Sequence, residues 1–247
     1  MIRDFGLNLT YVHDEEQIEF LQHKYNLCRS EAIKLDYQNR WKDKCVRFSL
    51  ETRCIASFFA RVYKNPNTKG CSKILVECAE EPKEKQAVSL FGICEVQVKF
   101  NYEDFVALDN YGKKKMTLEL LMTGVRKAAT DQGWDIEPFE QAYEVIKQAD
   151  YNNEGTWHKK AKNRETKQTA RIFLVHEVEK IDIYMKIEDK LGKEVYSKKI
   201  ITEKPDEFIY ARYLDEFYWR SNEEVVLKWK DGEFVVNLSK VERMFSN

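Results

Sequence analysis

Glycine and proline are scarce, nine and four among 247 residues. Few backbone positions can then adopt a positive φ, which argues against a glycine-lined ligand loop. Neither Gly-x-Gly-x-x-Gly nor a P-loop occurs, and there is no Gly-x-Ser-x-Gly elbow, so a nucleotide cradle and a serine-hydrolase nucleophile both lack their motif. Histidine is rarer still among titratable residues: His13, His23, His158 and His176, no two of them at a metal-ligand spacing. Cys-x-x-Cys is also missing, and with it the usual zinc-knuckle pattern. No apolar stretch approaches the roughly 18 residues that cross a bilayer. The first dozen residues alternate and carry Asp4, unlike a signal peptide. Excess charge is absent too: the net value is −1, so no global field attracts nucleic acid or repels it. These absences describe a soluble cytoplasmic chain that needs no cofactor or metal and does not act on membranes.

What is present is a globular composition, 43% hydrophobic and 34% charged, with aromatics at 13% to carry the core. Six cysteines fall in the first hundred residues: Cys28, Cys45, Cys54, Cys71, Cys78 and Cys94. A chain this long has enough apolar residues to fold without staples, so buried free thiols are expected rather than disulfides. Cys94 fits that reading, because it shares the apolar phase of a strand with Val96, Val98 and Phe100.

The expected fold class is α+β, with β-rich N-terminal and C-terminal parts flanking a central antiparallel helical pair. Residues 5–12 read as a strand. Asp14 then opens a helix, with Ile18, Leu21 and Tyr25 on one face, fading near Tyr37. Val46–Leu50, Cys54–Tyr63 and Ile74–Cys78 read as strands on composition. Asn65 to Gly70 reads as a turn, Glu80–Gln86 as a charged loop and Leu90–Phe100 as one continuous strand. Asp109 or Asn110 caps a helix through Thr130 with Leu118, Leu121, Val125 and Ala128 in a stripe, and Gly133 stops it. Pro138 starts the next helix, with Phe139, Ala142, Tyr143 and Ile146 as its stripe and Trp134 in the link. From Tyr151 the chain turns β and stays so. Ile181, Ile183, Met185 and Ile187 alternate, Leu191-Gly192 turns, and Val195–Thr202 returns. Asp231-Gly232 between alternating runs predicts a two-residue type I′ hairpin. The regions are 1–104, 105–150 and 151–247, the last an antiparallel sheet or sandwich.

Two catalytic constellations can be drawn. His176 can meet a cysteine as a nucleophile pair, against its ordinary reading as a hydrogen-bonded strand histidine, which is preferred. Asp182, Glu188 and Lys190 form an Asp…Glu-x-Lys array of the kind that holds Mg²⁺ in nucleases. Glu188 to Gly192 reads more simply as a solvated hairpin tip.

Charge patches say more. From 158 to 171 there are six Lys/Arg against one Asp/Glu. Lys159, Lys160, Lys162 and Arg164 there make a strip able to bind an anion, with Trp157 beside it to stack a base. A lysine-guarded sheet edge is the simpler reading of the same strip. From Glu203 to Glu224 seven acids face three bases, threaded by aromatics. Asp206, Glu207, Asp215 and Glu216 would steer a basic protein surface and Tyr213 and Trp219 would anchor it. The plainer alternative turns the aromatics to the core and the acids to water.

Asp109-Asn110-Tyr111-Gly112-Lys113-Lys114-Lys115-Met116-Thr117-Leu118-Glu119-Leu120-Leu121, then Gly133-Trp134-Asp135 and Phe139-Glu140-Gln141-Ala142-Tyr143, resembles a segment of small bacterial immunity-type proteins encoded beside polymorphic toxins. Lys204-Pro205-Asp206-Glu207-Phe208 is similar in style. The resemblance covers about a fifth of the chain and carries over no site residue. It implies a non-enzymatic protein that blocks a toxin by direct binding, the partner being a basic toxin domain. A nucleic-acid-processing enzyme using the basic strip, or a phage or host-defence accessory protein, is the alternative.

Overall fold

Alternating burial at Phe5, Leu7 and Leu9 places the first strand, β1 (Asp4–Leu9), with one face in the core. The computed structural model describes residues 2–64, 68 and 70–239. The chain divides into two compact units, Met1–Tyr151 and Asn152–Asn247. Its class is α+β, strand-rich toward both ends with helices in the centre.

In the first unit, Asp14 caps α1 (Glu15–Tyr25) by accepting from the Gln17 amide at 3.1 Å. Asn26 ends it in the left-handed region at φ 52°. The chain does not fade at Tyr37. It runs on through α2 (Arg29–Asp36) and a π-helical turn (Tyr37–Trp41) into α3 (Lys42–Val62). The strands expected at 46–50 and 54–63 are therefore one helix. Phe48, Glu51, Thr52, Ile55, Phe58 and Phe59 are buried at three- and four-residue intervals. This periodicity decides the structure against the β preference of Phe, Val, Ile and Cys. The turn expected at 65–70 lies largely outside the described residues.

Three parallel strands and one antiparallel edge follow in the order β1-β2-β4-β3, with β2 at Lys73–Ala79, β3 at Val88–Leu90 and β4 at Ile93–Lys99. The single strand expected over 90–100 is thus broken. Leu90 pairs with Ile93, and Phe91 and Gly92 form the loop at φ 49° and 81°. Positive φ at both central residues is what a type I′ turn demands.

A short α4 (Tyr102–Val106) leads to the helical pair α5 (Asn110–Gln132) and α6 (Glu137–Gln148). Asp109 caps α5 through the Gly112 amide at 2.7 Å, and Gly133 closes it at φ 67°. Tyr143 donates to Glu119 at 2.6 Å, and Arg126 grips Glu140 through two nitrogens, at 2.8 and 2.9 Å. These pairings run in opposite chain directions, so the two helices are antiparallel. Both pack on the sheet, in one core with Phe5, Ile74, Val76, Val96 and Phe59, and Trp134 lies part-buried against it. At the closest approach, Gly124 faces Val76 and Val96.

The second unit is two antiparallel sheets sharing an aliphatic core. The first takes the order β5-β6-β7-β8, from Asn153–Lys162, Thr169–His176, Ile181–Glu188 and Glu194–Glu203. A four-residue α7 (Glu207–Tyr210) and a 3₁₀ turn (Ala211–Tyr213) lead to β9 (Glu216–Trp219), β10 (Glu224–Trp229) and β11 (Gly232–Asn237). Ile172, Ile183, Met185 and Ile187 of one sheet meet Val225, Leu227 and Val236 of the other. Each such side chain contributes about 1.5–3 kcal/mol on burial. The hairpin expected near 231 is present, but its turn differs. Trp229 pairs with Gly232, so Lys230 and Asp231 form the loop, and neither has a positive φ. Gly232 is instead a cross-strand seat for the Trp229 indole, whose nearest atom would lie 3.1 Å from a β-carbon there.

One ion pair sets an acid limit on the first unit. Asp36 is buried and accepts from Tyr11 at 2.7 Å and from Arg40 through both oxygens. The Arg40 guanidinium holds its carboxyl below the usual range, outweighing burial. The native state therefore favours the anion more than the unfolded chain does. That stabilisation is complete above an unfolded pKa of about 3.9 and is lost as pH falls through the lower native value. Asp36→Asn should destabilise the protein at neutral pH and flatten its stability profile between about pH 5 and 2, read by urea unfolding at each pH. An unchanged acid slope would assign the effect to other carboxylates.

Candidate protein-binding surface

The acidic, aromatic segment from Glu203 to Glu224 joins the two sheets of the second unit, running from the end of β8 through α7, the 3₁₀ turn and β9 to the start of β10. Asp206 caps α7, its Oδ1 accepting from the Phe208 amide at 2.8 Å. That turn puts Glu207 at the first helical position and throws Phe208 outward, 92% exposed. Tyr210, two residues on, is buried edge-to-face against His176.

The two aromatics chosen from the sequence as anchors face largely inward. The Tyr213 ring packs edge-on to Trp229 at 5.3 Å, and its hydroxyl donates to Glu203 at 3.1 Å. Trp219 is part-buried and donates its indole N–H to the Ala161 carbonyl at 3.1 Å. Asp215 and Glu216 are exposed on the approach to β9, where Glu216 lies 3.6 Å from Lys228 across the ladder. Arg212 bridges to Glu203 at 3.1 Å, so part of the negative charge is already offset. Nothing in the sequence distinguishes Phe208 from the other aromatics of the segment, Tyr210, Tyr213, Phe217, Tyr218 and Trp219. A four-residue helix has no periodicity by which inside and outside can be told apart.

The basic strip meets this acidic segment. Lys159 donates to the Asp215 carbonyl at 2.8 Å and lies 5.0 Å from the centre of the Trp157 ring. Ala161 is buried between Lys160 and Lys162, so period two sends those lysines to the solvent face. There Lys160 is opposite Arg171, itself held by Glu188 at 2.9 Å. Arg164 is exposed in the turn after β5 and accepts from Lys167 through its carbonyl. Trp219 of β9 reaches the Ala161 carbonyl of β5, and Lys159 of β5 reaches the Asp215 carbonyl just before β9, so β9 lies against β5.

The Asp182, Glu188 and Lys190 array is spread along its strand and the turn beyond it. Asp182 accepts from Thr202 and pairs with Lys180 at 3.1 Å and Lys199 at 3.4 Å. Glu188 is six residues along the same strand, about 20 Å away, too far to share an ion. Among the described residues no group of three or more His, Cys, Asp or Glu side chains is placed to hold a metal. The His176 ring nitrogens face the Pro205 carbonyl at 3.1 Å and Asn153 at 3.5 Å, the ordinary role of a strand histidine. All six cysteines are free, four of them buried. No helix among the described residues is long and apolar enough to cross a membrane. Comparison with family models, characterised proteins and solved structures finds no match.

Proposed function

We propose that this chain works by binding another protein, without chemistry of its own, in the manner of a cytoplasmic immunity protein that occludes a basic toxin domain. One observation carries the reading: Phe208 stands 92% exposed between the acids of the α7 turn and Arg212. An apolar ring displayed in water has no folding benefit, and aromatic side chains are the commonest interface anchors. The acids of the same segment, Asp206, Glu207, Asp215 and Glu216, supply long-range attraction for a cationic partner. Tyr213 and Trp219 then have a supporting part, holding the segment against the sandwich.

The two contributions are separable by experiment. Co-expression with the open reading frame immediately upstream should relieve a growth arrest which that frame causes alone. Glu207→Lys with Glu216→Lys should slow association with its product about tenfold and weaken the salt dependence. Phe208→Ala should leave the association rate nearly unchanged and speed dissociation by about 30-fold, a hot-spot loss near 2 kcal/mol. Relief of arrest that survives all three substitutions would refute the surface. An upstream frame with no toxicity would remove the immunity reading.

A further inference from the structure

Gln86 to Cys94 is a nine-residue run without a charged side chain, in a chain that is 34% charged. It holds β3, one of the two edge strands of the first unit's sheet, and its turn. Each other edge strand carries at least one charge: Asp4 on β1, Lys160 on β5, Lys199 on β8, Glu216 on β9 and Glu233 on β11. Edge charges are the common guard against strand addition, and β3 has none. Val88 and Leu90 are 52% and 63% exposed on the same side of the strand, and Phe91 at the tip is 95% exposed.

The tip is also conformationally costly. Phe91 has φ 49°, in a region that glycine and asparagine enter readily and a bulky ring does not. The register keeps it there. Leu90 pairs with Ile93, and the Gly92 carbonyl accepts from the Ser72 and Lys73 amides at 2.7 and 3.2 Å. Just before β3, the outward main-chain groups of Ala87 are taken by α5. Asp131 accepts from the Ala87 amide at 2.7 Å, and Gln132 donates to the Ala87 carbonyl at 3.4 Å. In a two-residue hairpin closed by Leu90 and Ile93, the N–H and C=O of Ser89 also point outward.

We propose that β3 pairs antiparallel with β3 of a second copy about a two-fold axis at Ser89, joining two four-stranded sheets into one of eight. The axis makes the strand its own complement. Ser89 exchanges both main-chain bonds with its twin, Val88 faces the partner's Leu90, and Phe91 covers the ends of the new ladder. No β3 side chain brings a like charge to its copy, as any of the other edge strands would, and the nearest charge on this side is the Asp131 carboxylate, already held by the Ala87 amide. The three apolar side chains present roughly 400 Å² per copy, the size of the largest apolar patch on a typical monomer, which is often functional. The pair would bury about 800 Å², below the roughly 1,200 Å² of a stable complex, so the dimer is weak and concentration-dependent.

Sedimentation velocity on the full chain tests this between about 10 and 500 µM, above the micromolar affinities of larger interfaces. The sedimentation coefficient of the wild type should rise with concentration. Leu90→Lys should hold it at the monomer value throughout. Phe91→Asn is the control for folding: asparagine suits the left-handed turn, so thermal stability should hold or rise while dimerisation weakens at least tenfold. A wild type that stays monomeric throughout overturns the proposal, and so does a dimer that neither substitution weakens. Dimerisation that Leu90→Lys removes in a chain still melting at the wild-type temperature upholds it.

Discussion

Replacing Glu51 with alanine should destabilise the first unit by about 3–5 kcal/mol, enough to unfold many domains. Glu51 projects from α3 into the core beside α5. Its Oε2 accepts from the Lys113 ammonium at 2.9 Å and its Oε1 from Arg47 at 2.7 Å. Lys113 is 4% exposed and sits 5.5 Å from the centre of the Phe105 ring. Removing the carboxylate leaves an ammonium in a low-dielectric site with an aromatic face in place of an anion. The cost is the desolvation of that ammonium rather than the net worth of the pair. Glu51→Leu combined with Lys113→Met should therefore recover most of the loss, because apolar groups of similar volume need no compensation. Equilibrium urea unfolding of the two single variants and the double variant decides it. A double variant as unstable as Glu51→Ala would mean that shape, not charge, sets the requirement.

Gly124→Val should be comparably damaging, by more than about 3 kcal/mol, and Gly124→Ala should show why. A β-carbon at 124 would lie 2.6 Å from Val76 Cγ2 and 3.1 Å from Val96 Cγ1. Both obstacles are β-branched side chains on adjacent strands, with one preferred rotamer and little room to yield. Alanine gains about 1 kcal/mol of helix propensity but meets overpacking of about 1–3 kcal/mol, so a net loss is expected. Valine adds two more methyl groups at the same place. Val76→Ala should rescue Gly124→Ala, because it deletes the atoms struck. The coupling in that double-mutant cycle separates a clash from a simple change in helix propensity. No coupling would reject the close approach of α5 to β2 as the cause.

The helical pair was readable because each signal had one interpretation. Asp109 caps, Gly133 terminates, Pro138 opens, and Phe139, Ala142, Tyr143 and Ile146 are all buried as their spacing requires. The alternation of Ile181 to Ile187 was equally plain. The strands expected at 46–50 and 54–63 fail because composition was weighed above period. Phe48, Ile55, Phe58 and Phe59 repeat at helical intervals while belonging to residue types that favour strands. Glycine misled twice. Gly92 was absorbed into an apparent strand although it closes a turn, and Gly232 was assigned to a turn although it sits in a strand under an indole. A glycine marks a backbone exception, but not whether dihedral freedom or side-chain room is the reason.

The binding surface was legible only in outline. Its charges could be counted, but the direction of each aromatic depended on the packing of β9 against β5, which nothing local to 203–224 encodes. The burial of Lys113 and Lys114 inside a run of three lysines was hidden for a similar reason. The carboxylate counterpart of Lys113, Glu51, comes from a helix some sixty positions earlier in the chain.

The free thiols described above also give the native protein a chemical handle. Cys28 is the exposed thiol, at the start of α2. Cys45 is half-buried and hydrogen-bonded, and desolvation raises its thiol, so alkylation there should be slow. A maleimide dye used at limiting ratio should accordingly mark one position in one unit. Fluorescence from that label would follow the unfolding of Met1–Tyr151 independently of the cysteine-free sandwich, with no engineered residue required.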